Sequence, residues 1–99
     1  MKPLRIVWKR QALQRVDEIA RWYAGYMGGT AARIFLQGIN ETVQTLSQSP
    51  HIGRLDERRS TEKVKFHSFV AHPKYKIIYY FNTRSIYIVT IHRTLMKNG

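Results

Sequence analysis

Two adjacent segments near the C-terminus place the strongest constraint on how this chain folds. Residues 75–81 and 86–92 are rich in β-branched and aromatic side chains, and a short polar sequence at 82–85 separates them. This arrangement predicts an antiparallel β-hairpin. A third segment, around residues 64–70, is a further candidate strand, so we expect a small sheet. Basic and imidazole side chains lie among the apolar ones throughout residues 66–93, and we therefore look for function there.

A sheet that is covered by helices on one face alternates core and open positions along each strand. In the first arm, alternation predicts a core row of Tyr75, Ile77, Tyr79 and Phe81 and an open row of Lys76, Ile78 and Tyr80. In the second arm it separates Tyr87, Val89 and Ile91 from Ile88, Thr90 and His92. If Lys76 and His92 both lie on the open face, the sheet presents a cation and an imidazole there, with Tyr80 on the row of Lys76 as a stacking or partner-contact candidate.

Two longer segments upstream have the periodicity of amphipathic helices. Apolar residues recur every three or four positions from residue 9 to about residue 23, and Gly25, Gly28 and Gly29 are expected to break this first helix. Thr30 is the predicted N-cap of the second helix, which ends near Pro50. The short glycine-containing connection between them indicates a helical hairpin.

A short apolar segment at residues 4–8 is the predicted first strand, which gives the element order β-α-α-β-β-β. We expect an α+β fold in which the helical hairpin packs on one face of a small, mainly antiparallel sheet. The chain has 99 residues, and we expect residues 1–99 to form one domain.

The strong excess of basic over acidic residues is the compositional feature that best indicates the kind of partner this chain binds. Seventeen lysines and arginines against six acidic residues give a formal charge of +11, which attracts nucleic acid, anionic surfaces or acidic proteins. The chain has no cysteine, and its four histidines lack metal-site spacing, so we expect no metal and no cofactor. The N-terminus has no apolar stretch typical of a signal peptide or membrane span. We expect a cytoplasmic protein that does not associate with membranes.

Three sequence segments carry a family resemblance: S-P-H-I-G-R at residues 49–54, Y-K-I-I-Y-Y-F at 75–81, and I-Y-I-V-T-I-H-R at 86–93. Together with the element order, they resemble the RelE/ParE superfamily of toxins over nearly the whole chain. The resemblance implies that this chain is the toxin of a type II toxin–antitoxin system, of the kind that stabilises plasmids. It also implies a small acidic antitoxin that neutralises the toxin in a toxin–antitoxin hetero-oligomer.

The resemblance implies two alternative activities. RelE-like members are metal-independent endoribonucleases that cut ribosome-bound mRNA, and ParE-like members inhibit DNA gyrase. RNA cleavage without a metal needs several acid, base and cationic groups around one phosphate. The resemblance makes Lys76, His92 and Arg93 the catalytic candidates of an mRNA interferase.

Several positions depart from the RelE-like pattern. Lys76 stands where an arginine is expected, His67 and Phe69 stand where two lysines are expected, and no tyrosine follows Arg93. The two long helices are also more similar to ParE. We therefore expect a ParE-like gyrase inhibitor, with an mRNA interferase as the alternative and a basic nucleic-acid-binding module as a further one.

The remaining candidate residues are basic or aromatic and belong to the charged loop after the second helix or to the sheet. Residues 55–63 are highly charged and are predicted to form an exposed loop. The residues that we expect to contact the target or the antitoxin are Arg54, Arg58, Arg59, Lys65, His67, Lys74 and Tyr80.

Overall fold

The protein folds into two helices packed on one face of a five-stranded sheet. The computed structural model describes residues 2–72 and 75–93, apart from the side chain of His72. The elements are β1 (Arg5–Trp8), α1 (Arg10–Met27), α2 (Gly29–Gln48), a 3₁₀ turn (Pro50–Ile52), β2 (Arg54–Leu55), β3 (His67–His72), β4 (Tyr75–Phe81) and β5 (Ser85–Arg93). The predicted α+β class, with a helical hairpin on a mainly antiparallel sheet, is confirmed.

The strand order is β1-β5-β4-β3-β2. Strand β1 pairs parallel with β5, and the other three pairs are antiparallel. The two-residue strand β2 adds one element to the predicted order, and β3 begins three residues later than its sequence pattern suggested. Neither helix has, within its described residues, the length and apolar character needed to cross a membrane.

The two helices are joined by a single residue, Gly28, whose φ of 98° lies in the left-handed region that favours glycine. Helix α1 continues through Gly25 to Met27, and Thr30 lies inside the first turn of α2. Of the three glycines expected to break the first helix, Gly28 does so, whereas Gly25 lies inside α1 and Gly29 begins α2. The prediction that Thr30 caps α2 is wrong. A helix-interior glycine costs only about 1 kcal/mol, which packing elsewhere on α1 offsets.

The core lies between the helices and the sheet. The helical stripes contribute Ala12, Ile19, Phe35, Ile39, Val43 and Leu46, and the sheet contributes Tyr75, Ile77, Tyr79, Ile86, Ile88 and Ile91. Each fully buried valine, leucine, isoleucine or phenylalanine side chain contributes about 1.5–3 kcal/mol to the free energy of unfolding. At the edge of the core, the hydroxyl of Tyr75 donates a hydrogen bond of 2.7 Å to the hydroxyl of Tyr23.

A β-bulge at Val89 changes the alternation of side chains along β5. Ile78 pairs with Thr90, but the next residue of β4, Tyr79, pairs with Ile88, which leaves Val89 as the extra residue. Consequently Ile88 and Ile91 both belong to the core. The strict alternation predicted for the second arm is wrong, whereas the rows predicted for the first arm are confirmed in β4.

The charged segment after β2 is an ordered loop that crosses the sheet face opposite the helices. The Asp56 N–H donates to the Phe66 carbonyl at 2.8 Å, and the Ser60 hydroxyl accepts from the Phe66 N–H at 2.9 Å. The Phe66 ring meets the Tyr80 ring edge-on, with centroids 5.4 Å apart. On this face Ile78 is only 1% exposed, so the face is open along part of its length only.

The S-P-H-I-G-R segment is attached to the core through one hydroxyl group. The Tyr79 hydroxyl donates to the Pro50 carbonyl at 2.6 Å and accepts from the Gly53 N–H at 3.1 Å. Burial raises the pKa of Tyr79 to about 12, while the Gly53 N–H opposes that rise. A Cβ on Gly53 would lie 2.9 Å from ring atoms Cε1 and Cζ of Tyr79 and closer still to its hydroxyl. Glycine is needed here because the ring approaches the backbone so closely.

We expect Gly53→Ala to lower the free energy of unfolding by about 1–3 kcal/mol, because the new methyl group overlaps the buried Tyr79 ring. The matched control is Gly38→Ala, whose Cβ would meet nothing within 4 Å and which should raise stability by about 0.5–1 kcal/mol. Urea denaturation of both variants measures the difference. Equal stability of the two variants would contradict the role given to Gly53.

Candidate functional site

The register of the β4–β5 hairpin brings Lys76 and His92 together. Their Cα atoms are direct partners across the two strands, and both side chains are half-buried. Lys76 belongs to the open row of β4, and the bulge at Val89 places His92 on the same face. These two residues therefore share the open face of the sheet, which settles the facing of His92 that the sequence left open.

Arg59 connects the loop to this pair. Its Nη2 atom lies 3.3 Å from Nε2 of His92. Asp56 holds Arg59 in two ways: Oδ1 accepts from the Arg59 backbone N–H at 3.2 Å, and Oδ2 lies 3.7 Å from Nε. A guanidinium group has donors only, so Nε2 of His92 accepts this bond and its ring proton lies on Nδ1. The contact thus favours the neutral imidazole.

The electrostatic surroundings of His92 favour the same neutral form. Burial of the ring is the main cause that lowers the pKa of His92. The positive charges of Arg59, Arg15 and Lys76 lower it further, and Asp56 partly opposes them. A neutral imidazole with this pKa is a proton acceptor at pH 7 and a poor proton donor.

A cationic hollow lies beside Lys76 between the loop and the sheet. Its walls contain four basic side chains, two acidic ones and a serine: Arg54, Arg58, Arg59, Lys76, Asp56, Glu57 and Ser68. Strand β2 supplies Arg54, and the start of the loop supplies the two other arginines. Guanidinium groups bind carboxylates and phosphates through paired hydrogen bonds, so this cationic hollow suits an anionic group of a partner.

An aromatic row continues along the same face. The rings of Tyr80 and Tyr87 are stacked at 16° with centroids 4.7 Å apart, and Phe66 packs on Tyr80 from the other direction. The Lys9 ammonium lies 5.9 Å from the centroid of the Tyr87 ring. Tyr80 therefore lies on the face of Lys76, as predicted, but its ring is already in contact with two other aromatic rings.

Two of the predicted site residues lie on the opposite, helix-covered face. Arg93 pairs across the strands with Tyr75, and its guanidinium carbon lies 5.4 Å from the centroid of the Trp22 ring. His67 stacks on Tyr79, with centroids 5.6 Å apart. Arg93 and His67 therefore lie on the other side of the sheet from Lys76 and His92.

Of the other predicted contact residues, Lys65 is an exposed residue of the loop, and Lys74 lies outside the described residues. The residues brought together are Arg54, Arg58, Arg59, Lys76 and His92. Among the described residues, no group of three or more His, Asp or Glu side chains is arranged to hold a metal ion.

Two residues of this region have no counterpart in the sequence-based site. Asp56 positions Arg59, and the spacing of three residues between opposite charges is a signal that the sequence contained. Arg15 of α1 donates from Nε to the Ile91 carbonyl at 3.2 Å and so places a positive charge near His92. No local pattern connects residues 15 and 91, which only the fold brings together.

Helices on one sheet face and basic groups gathered on the other define a small basic α+β protein with a cationic sheet face. The family model described as "ParE toxin of type II toxin-antitoxin system, parDE" matches residues 6–97. The chain therefore belongs to the ParE toxin family and is the toxin component of a type II toxin–antitoxin system. The ParE-like branch favoured by the sequence is confirmed.

A solved structure has a similar fold. Its title is "Chromosomal ParDE TA system from P. aeruginosa", and one of its chains superposes with a TM-score of 0.69 at 23% sequence identity. The match covers 91% of this chain and 95% of that one. Among curated protein sequences, none matches this chain.

We expect Arg59→Gln to raise the pKa of His92 toward its ordinary value. The substitution removes a positive charge that lowers this pKa and replaces a donor-only guanidinium group. An NMR titration of the histidine ring protons measures the change. Arg84→Gln, in the exposed hairpin turn, is the matched control and should leave the His92 pKa unchanged. A His92 pKa that is unchanged or lower in Arg59→Gln would contradict the geometry described for this contact.

Proposed function

We propose that this protein is a ParE-like toxin that inhibits DNA gyrase and is neutralised by a small acidic antitoxin. The observation that carries the proposal is the cationic hollow, which holds four basic side chains on the sheet face that the helices leave uncovered. Membership of the ParE family supports a protein target rather than RNA.

The separation of the catalytic candidates also supports a non-nuclease activity. Cleavage of RNA requires a base for the 2′-hydroxyl group, cations for the phosphorane and an acid for the leaving oxygen, all at one phosphate. Arg93 lies on the other face of the sheet from Lys76 and His92, against Trp22. His92 has a lowered pKa and is a poor acid at neutral pH. Among these three residues the acid would have to be the Lys76 ammonium, whose positive charge is also needed at the phosphate.

The chemistry of the hollow suggests how the toxin holds its target. Hydrogen bonds from Arg58 or Lys76 to carboxylates of gyrase are charge-assisted, and such bonds contribute about 1.5–3 kcal/mol each. Asp56 holds Arg59 in place and so lowers the entropy lost when the site is occupied. The charge of +11 speeds the encounter with acidic partners and makes binding dependent on salt.

One observation favours an mRNA interferase as a second candidate. Lys76, His92 and Arg59 form a compact group in which Nε2 of the neutral imidazole is free to accept a proton from a 2′-hydroxyl group once Arg59 turns from it to the phosphate. The two cations beside it are suited to the charge that develops on a phosphate. The gyrase inhibitor and the interferase therefore use the same face but require different partners.

We expect the double variant Arg58→Ala/Lys76→Ala to need at least roughly thirtyfold more toxin than the wild type for half-inhibition of gyrase supercoiling. The reason is the loss of two charge-assisted contacts of more than 1 kcal/mol each. The matched control is Lys2→Ala/Arg84→Ala, which removes the same charge from two exposed sites away from the hollow. Purified gyrase and relaxed plasmid provide the assay.

Two results would contradict this prediction. Equal losses in both double variants would mean that only net charge matters. Site-specific mRNA cuts by the wild type in a ribosome-containing extract, mapped by primer extension and abolished in Lys76→Ala or His92→Ala, would establish the interferase instead.

A further inference from the structure

A pocket lies between α1 and the end of β5, on the helix-covered side of the sheet. It has a volume of about 150 Å³ and shares no residue with the cationic hollow. Its most deeply buried walls are apolar or aromatic and come from Ile19 and Tyr75. The remaining walls are charged or aromatic side chains: Arg15, Glu18, Trp22 and Arg93.

Arg93 is the exposed cation of this pocket. Its guanidinium carbon lies 5.4 Å from the centroid of the Trp22 ring. No carboxylate within residues 2–72 and 75–93 forms an ion pair with it. A guanidinium group that packs on an aromatic ring keeps the N–H donors along its edge available for a carboxylate. Arg93 is thus oriented to bind an anionic group.

Arg15 supplies a second guanidinium group, and this one is fixed in place. Its Nε donates to the Ile91 carbonyl at 3.2 Å, and its Nη1 lies 3.1 Å from Oε1 of Glu18. Because these bonds already hold the side chain, little conformational entropy is lost when a partner binds beside it. The two guanidinium groups outweigh the single carboxylate, so the pocket has a net positive charge and suits an acidic side chain.

An exposed aromatic surface continues from the pocket along α1. Trp22 is 41% exposed and Tyr26 is 77% exposed, and the centroids of their rings are 5.2 Å apart. Tryptophan, tyrosine and arginine are the residue types that most often dominate the binding energy of protein interfaces. The pocket and these two rings therefore have the composition of an interface hot spot.

The pocket and the cationic hollow lie at the same end of the β4–β5 hairpin. Arg93 directly follows His92 in β5, and its partner across the strands, Tyr75, directly precedes Lys76 in β4. The two sites face opposite sides of the sheet, so two parts of one large partner can occupy them together. A second copy of this chain is a poor occupant, because each copy has a charge of +11.

We propose that the pocket of Arg15, Trp22 and Arg93 is a second contact site for gyrase. An acidic side chain of gyrase binds the two guanidinium groups, and an apolar side chain beside it packs on Trp22 and Tyr26. This inference rests on the proposed function and adds a contact to it. Occupation of the pocket and the hollow by one partner increases the affinity beyond that of either contact alone.

The first test removes the exposed cation of the pocket. Arg93→Gln removes the charge and the planar fork of donors. Arg21→Gln is the matched control, because it removes the same charge from an exposed side chain of α1 that does not line the pocket. We expect Arg93→Gln to bind purified gyrase, without DNA, at least about tenfold more weakly than Arg21→Gln in biolayer interferometry. Circular dichroism confirms that both variants fold.

Two results of this binding experiment would overturn the inference. Equal affinity of Arg93→Gln and Arg21→Gln would mean that the pocket does not meet gyrase. Binding of the wild type that requires DNA, and loses its dependence on Arg93 without it, would identify the anionic group as a phosphate instead of a carboxylate.

Photo-crosslinking tests the aromatic part of the surface without removing a charge. Benzoylphenylalanine replaces Tyr26 in one variant and Gln14 in the control, whose side chain lies two helical turns before Arg21 on the same side of α1. We expect an adduct with a gyrase subunit from position 26 and none from position 14. An adduct of position 26 with the antitoxin, and none with gyrase, would overturn the inference.

The measurements also distinguish this inference from the proposed function. Gyrase binding that is weakened in Arg58→Ala/Lys76→Ala but unchanged in Arg93→Gln overturns the second contact alone. A wild-type toxin that does not bind gyrase overturns the proposed function and the inference together.

Discussion

The bulge at Val89 determines which side chains of β5 reach the core and which reach the open face. Ile88 and Ile91 are both fully buried against the helices, although strict alternation would direct them to opposite faces. Burial of two isoleucines contributes several kcal/mol, enough to stabilise the extra residue. The same bulge turns His92 to the side of Lys76. The packing of the core and the position of the candidate site therefore depend on one irregularity.

One face of the sheet packs against the helices, and the other carries the charged loop and the cationic hollow. The helix face buries the apolar side chains, and it also takes up His67 and, at its edge, Arg93. The other face carries the charged loop, which Asp56 and Arg59 tie to His92. Tyr79 belongs to the core but reaches the turn before β2 through its hydroxyl group. These two hydrogen bonds attach residues 50–53 to the core and so set the direction in which the chain enters β2 and the cationic hollow.

Much of the fold is readable from the sequence because its signals are periodic. The bounds of β4 follow from its β-branched and aromatic run. The helix stripes identify the core residues of both helices, although Leu13, which belongs to the first stripe, is 53% exposed. The boundary between the helices is less readable, because three glycines lie close together and only the fold shows that Gly28 takes the positive φ. The bulge has no local signal, since no glycine or proline stands at residue 89.

The candidate site was partly predictable for the same reason. Lys76 and His92 are found together because pairing across a hairpin follows from its two arms. Arg93 and His67 were assigned by family position, but strand parity places them against Trp22 and Tyr79. The path of the loop depends on contacts between residues far apart in the chain, such as Arg59 with His92, and these have no periodic signal.

The central claim is that the cationic hollow is the surface through which the toxin meets gyrase. The most direct measurement places a photo-crosslinking amino acid, benzoylphenylalanine, at the exposed position of Glu57 in the wall of the hollow and irradiates the toxin with purified gyrase or with mRNA-programmed ribosomes. We predict a covalent adduct with a gyrase subunit that the antitoxin prevents. An adduct with mRNA or the ribosome, and none with gyrase, would contradict the claim.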